Sequence, residues 1–98
     1  MSFADFLAAD RRLVLLKALQ AASQYRTNAY LLRKFADRLG HTVSSDRIEQ
    51  DLAWLAEQDL VTLAKAEGVS VATATQRGLD VAEGRTVVPG VQRPAPEA

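Results

Sequence analysis

The sequence predicts a mainly α chain with one small β-hairpin, and three observations carry that prediction. Ile48, Leu52 and Leu55 recur at i, i+4 and i+7, the apolar stripe of one helix. After Asp59 the period changes to two, with Val61 and Leu63 alternating with Thr62 and Ala64 as in a strand. Upstream, another helical pattern stops at Gly40 and reaches the first stripe through a turn of about four residues, the spacing of a helix-turn-helix. A helix-turn-helix that passes straight into a hairpin has the order of a winged helix-turn-helix: three helices, a two-stranded wing and a short C-terminal helix.

The chain has 98 residues, so one domain is expected. Residues 1–83 read as the winged-helix domain and 84–98 as an extended or disordered tail, which holds all three prolines. Lys plus Arg equals Asp plus Glu, so binding to nucleic acid has to come from a local patch rather than from overall charge. Without cysteine, disulfides, thiol catalysis and zinc–thiolate sites are excluded. The opening MSFADFLAADRR does not read as a signal peptide, and no apolar run approaches the ~18 residues of a membrane span, so a cytoplasmic protein without membrane contact is expected.

Each element has a local reason. Ser2 with Asp5 resembles a capping pair, opening a first helix over residues 3 to about 22. Phe6, Ala9, Leu13 and Leu16 form its stripe, widened by Leu7, Val14, Leu15, Ala18 and Leu19. Asp10, Arg11, Arg12 and Lys17 make the polar remainder. A helix apolar over so much of its circumference is either central to the core or meets a second subunit, and a homodimer through the first helix is expected. Thr27 or Asn28 caps a second helix reaching Leu39, with Leu31, Leu32, Phe35 and Leu39 as its buried face and Tyr30, Arg33, Lys34 and Asp37 pointing away. Gly40 suits the left-handed residue that ends a helix. Ser44 or Ser45 caps the third helix. Strands are expected over residues 61 to about 65 and 69 to about 74, joined through Gly68. Thr75 caps the last helix, which Gly84 stops.

The run DLAWLAEQDLVTL (residues 51–63) resembles the "DL-x-x-L-x-x-x-GLV" exit of winged-helix regulators of the ArsR and MarR kind, and TATQRGLDVAEGR (73–85) is similar to their closing "LTxxGxxVA". Asp59 stands where that pattern has Gly. Over essentially the whole chain the sequence resembles small proteins of Mu-like phages and prophages, through SFADFLAADRRLVLLKAL, a YR-x-N element (Tyr25, Arg26, Asn28), DLAWLAEQ and VPGV-x-RP (88–94). The resemblance implies a winged-helix fold in a phage-encoded protein.

In a helix-turn-helix the second helix of the motif enters the major groove by its N-terminal residues. Here those are Ser44, Ser45, Arg47 and Gln50; Arg reads guanine and Gln reads adenine through two bonds each. Thr27 and Asn28 can meet phosphate at the preceding helix start, and Arg26, Arg33 and Lys65 add charge. Arg26, Arg33, Lys34, Arg38 and Arg47 stand against Asp37 and Asp46, a local +3; beyond them Lys65 faces Glu49, Asp51, Glu57, Asp59 and Glu67, a local −4. Only residues 44–50 of the third helix therefore suit double-stranded DNA. Trp54 either covers the side of that helix within the core or serves as an exposed anchor for a phage or host protein partner. His41 reads as a turn residue without a second ligand at metal spacing. No catalytic constellation or cofactor motif appears. Two functions stand: a dimeric winged-helix DNA-binding transcriptional regulator, and a non-catalytic protein-interaction module in phage assembly, DNA packaging or host takeover.

Overall fold

The first helix, α1, is Phe3–Ala21, and its start is a reciprocal cap: the Asp5 N–H donates to Ser2 Oγ at 3.0 Å and the Ser2 N–H to the Asp5 carboxylate at 3.3 Å. This computed structural model describes residues 1–96; the last two positions of the expected tail lie outside the described residues. Leu13, Leu15, Leu16 and Leu19 place α1 at the centre of the core, one of the two roles its wide apolar surface allowed. Phe6 departs from the expected stripe. It is 45% exposed and stacks on Phe3 with ring centroids 6.5 Å apart, because the first buried residue of α1 is Ala9 and the turns before it project past the core.

After a single 3-10 turn, β1 (Arg26–Asn28) precedes α2 (Ala29–Arg38). The expected architecture had no such strand. Three residues show no legible alternation, and β1 exists through its antiparallel pairing with a later strand. Asn28 then caps α2, its side-chain oxygen accepting from the Leu31 N–H at 2.8 Å.

The buried face of α2 also differs from expectation. Ala29, Leu32 and Ala36 face the core, while Leu31, Phe35 and Leu39 are about half exposed. Small alanines at i and i+7 permit the close approach of neighbouring elements, and the bulkier residues are left on an uncovered flank.

Next come α3 (Ser45–Glu57), β2 (Val61–Ala66), β3 (Val69–Ala74) and α4 (Gln76–Ala82). Ile48, Leu52 and Leu55 are fully buried as their spacing predicts, and Val43 in the preceding turn packs against the same core. Three helices end alike. Gly40, Asp59 and Gly84 hold φ of 94°, 60° and 82°, and the following N–H of His41, Leu60 and Arg85 reaches back to the carbonyl of Ala36, Leu55 and Asp80. Glu67 and Gly68, both at positive φ, make the two-residue hairpin turn.

The sheet is antiparallel in the order β1-β3-β2, so the structure is mixed α/β with four α-helices and three strands among the described residues. Its element order is consistent with the winged helix-turn-helix expected, with a third strand added to the wing. Residues 84–96 carry no helix or strand, yet they pack: Val88 and Val91 are buried in the core, the Gln92 N–H donates to the Ala9 carbonyl at 3.1 Å, and Arg12 donates to the Gly90 carbonyl at 2.9 Å. Among the described residues no helix is long and apolar enough to cross a membrane.

Candidate nucleic-acid interface

Ser44 starts α3 as its cap, accepting from the Arg47 N–H at 3.1 Å, so the cap is Ser44 and not Ser45. Ser45, Arg47 and Gln50 are exposed on the first two turns. Among the described residues, the side chains of Arg47 and Gln50 enter no hydrogen bond or ion pair. The start of α2, the start of α3 and the hairpin tip converge around a recess of about 210 Å3 lined by Ala29, Tyr30, Ser45, Glu49, Gly68 and Val69. The hairpin is held there by the Ser70 hydroxyl, which donates to Glu49 of α3 at 2.6 Å. Lys65 pairs directly with Ser70 across the ladder. Directly opposed residues share a sheet face, so Lys65 lies on the α3 side of the wing.

Other sequence-predicted residues are drawn away from this surface. Arg26 pairs with Thr73, one position out of phase with buried Ala72, and so belongs to the opposite sheet face. Thr27 is half-buried in a cleft between α1 and α2. Asn28 is committed to its cap. Arg33 is half-buried on α2, its Nε buried and, among the described residues, without a hydrogen-bond partner. The structure thus keeps Ser44, Ser45, Arg47 and Gln50 together on the first two turns of α3 and sets Lys65 on the face of the wing toward that helix, whereas Arg26, Thr27 and Arg33 are drawn elsewhere.

The acidity of α3 changes in meaning once the chain is folded. Asp51 is buried and held by the guanidinium of Arg11, with Arg12 Nε also 4.0 Å from its carboxylate. Glu49 is half-buried and engaged by Ser70. Of the acids on α3, Asp46 and Glu57 remain exposed. Asp51 therefore contributes no free negative charge to the outer surface of this helix.

Sequence reasoning left Arg11 and Arg12 in the polar remainder of the first helix, and both have definite partners. A signal existed: Arg11 lies four residues before Leu15 and eight before Leu19, on a buried stripe, and Asp51 lies within the buried stripe of α3. Two opposite charges on two core-facing stripes call for each other. Arg12 covers the ring of Trp54, its guanidinium carbon 4.1 Å from the ring centroid. Burial pushes the Arg12 guanidinium below its ordinary value, and Asp51 opposes that shift. Gly90, which accepts from that same guanidinium, abuts the indole so closely that a Cβ there would lie 2.7 Å from Cζ2. Trp54 is thus half-buried against the core, α1 and the C-terminal segment, the first of the two placements the sequence left open for it. His41 is likewise more than a turn residue: it is buried, with Nε2 2.7 Å from the Asp10 carboxylate.

No family model matches the chain. It is 47% identical over 94 residues to the uncharacterized protein gp26 of Escherichia phage Mu, covering 96% of this chain and 97% of that protein. It is 39% identical over 80 residues to an uncharacterized protein of Haemophilus influenzae, covering 81% and 78% respectively. Among solved structures, a mutant of Lactococcus lactis ZitR in apo form superposes with a TM-score of 0.54 at 21% identity, over 85% of this chain. The chain spans 58% of that protein's length, and the likeness is one of fold.

Proposed function

The chain belongs to the family of the phage Mu protein gp26, and on that premise we propose a winged-helix DNA-binding protein, a phage-encoded transcriptional regulator acting as a dimer in the host cytoplasm. The observation that carries this reading is the pairing of exposed, unengaged Arg47 and Gln50 on the first two turns of α3 with an Asp51 turned inward. Arg47 and Gln50 lie three residues apart, on neighbouring turns of one helix face, which suits two side chains reading adjacent base edges. Lys65 on the wing supplies a phosphate contact. Dimerisation is assigned to α1 through Phe3 and Phe6, which stack in the open at its start. No residue is given a catalytic role in this reading.

The test is retardation of double-stranded DNA fragments from the gene's own neighbourhood, measured across a salt series. Binding weakens as salt rises. Arg47→Ala removes about 1–3 kcal/mol of discrimination at one base pair, whereas Lys65→Ala weakens all sequences alike. If no fragment is retarded at low salt, the reading is overturned.

A second reading is a non-catalytic protein-interaction module in phage assembly, DNA packaging or host takeover. The exposed stripe of Leu31, Phe35 and Leu39 supports it, since an apolar row on a small surface helix is open to a partner.

A further inference from the structure

We infer that the outer flank of α2, with the cleft it shares with α1, is a docking site for an acidic amphipathic helix of another protein. Leu31, Phe35 and Leu39 are 51%, 40% and 53% exposed and follow one another at i, i+4 and i+8. They form a row about 12 Å long, two helical turns. Behind Leu31 and Phe35 lies a cleft of about 250 Å3 whose other wall is Ala18, Ala21 and Ala22. Those small residues leave room for the side chains of an incoming helix, in the way that ridges of one helix enter grooves of another.

Charge selects the occupant. Lys34 and Arg38, one turn apart, are exposed on the solvent side of the row and line the same surface as Leu31 and Phe35. Among the described residues neither enters an ion pair. The nearby acid, Asp37, is engaged by the Thr42 hydroxyl at 2.7 Å. Lys34 also lies over the ring of Tyr30, its ammonium 5.3 Å from the centroid, so the surface offers an apolar row edged by two cations without an ionic partner, and its complement is an apolar row edged by carboxylates. A second copy meeting this flank with its α2 antiparallel across a two-fold axis would set the two Lys34–Arg38 edges against each other, and like charges at such an edge are repulsive. The docking site stands apart from Arg47 and Gln50: it gives the second reading a surface, and failure of DNA binding leaves it untouched.

The experiment uses the full chain and two labelled helical peptides, identical in carrying leucines at i, i+4 and i+8, one flanked by glutamates and the other by lysines. Fluorescence anisotropy is expected to show saturable binding of the glutamate peptide, about tenfold tighter than the lysine peptide. Substitutions Lys34→Glu and Arg38→Glu together should reverse that preference. Leu31→Ser with Phe35→Ser should abolish binding of both peptides while circular dichroism stays unchanged, since both side chains are half exposed. Equal affinity for the two peptides, or no saturable binding of either, overturns the inference. So does self-association that the Leu31→Ser, Phe35→Ser variant loses, which would assign the flank to a second copy. Preferential binding to anionic phosphatidylglycerol vesicles, lost in the same variant, would assign it to a membrane and overturn it equally.

Discussion

Arg11 on α1 and Asp51 on α3 form a buried ion pair joined by two hydrogen bonds, Nε to Oδ2 and, at 3.2 Å, Nη2 to Oδ1. The bidentate geometry suits the planar guanidinium and satisfies both carboxylate oxygens away from water. The pair links the core helix to the helix proposed to meet DNA, and it keeps one carboxylate off the surface of α3.

Removing one partner is therefore costly. Asp51→Ala leaves the Arg11 charge buried without a counter-ion, and a loss of about 3–5 kcal/mol is expected in urea denaturation. Replacing both, Arg11→Met with Asp51→Leu, should cost much less, because no charge is then stranded. A double variant as unstable as the single one would show that packing, not the stranded charge, sets the loss.

The C-terminal segment depends on one glycine. Gly90 has φ +98°, and a Cβ there would meet Trp54 at 2.7–2.9 Å. Gly90→Ala should displace the segment from the indole and cost about 1–3 kcal/mol. Trp54 is the only tryptophan, so its emission reports the change directly. A red shift is expected as the ring gains water; an unchanged spectrum would mean the segment adapts in place.

Gly78 is constrained differently. It lies within α4, where a Cβ would come 2.0 Å from the Leu60 carbonyl oxygen, backbone that cannot swing aside. That same oxygen accepts from the Thr75 N–H at 3.0 Å, at the start of α4. Gly78→Ala raises helix propensity, yet the clash should dominate, lowering the unfolding midpoint by an amount equivalent to about 1–3 kcal/mol.

Asp59 gives the opposite sign. At φ +60° it holds the left-handed position that Gly40 and Gly84 fill at the ends of two other helices. Asp59→Gly relieves the steric cost of a side chain there and should stabilise the protein by up to about 1 kcal/mol, read as a higher urea midpoint. A lower midpoint would mean that the Asp59 side chain contributes something the glycine lacks.

Local signals were legible where one segment carried its own reason. Ser2 with Asp5 announced the start of α1, Gly40 the end of α2, and the alternation from Val61 the wing. Among site residues, Ser45, Arg47 and Gln50 were placed by their distance from the stripe of Ile48, Leu52 and Leu55. The face of α2 was misread because Leu31, Leu32, Phe35 and Leu39 span too wide an arc to name one inner side, and alanine carries little signal. Only the closeness of neighbouring elements selects Ala29 and Ala36. β1 was not legible because three residues have no period, and the packed segment after α4 was not because Val88 and Val91 follow none.

The sequence by itself determined the four helices, the two hairpin strands, most caps and the outward position of Arg47 and Gln50, because those follow from periodicity and hydrogen bonding within a few residues. Tertiary structure alone decided which charges survive at the surface. Arg11 and Asp51 are forty residues apart in the chain, and their mutual neutralisation depends on two helices meeting in the core. It also decided what Trp54 does, since Arg12 and Gly90 reach it from opposite ends of the chain. The physical reason is the same in each case: burial and electrostatic partnership are properties of neighbours in space, and no local pattern encodes them.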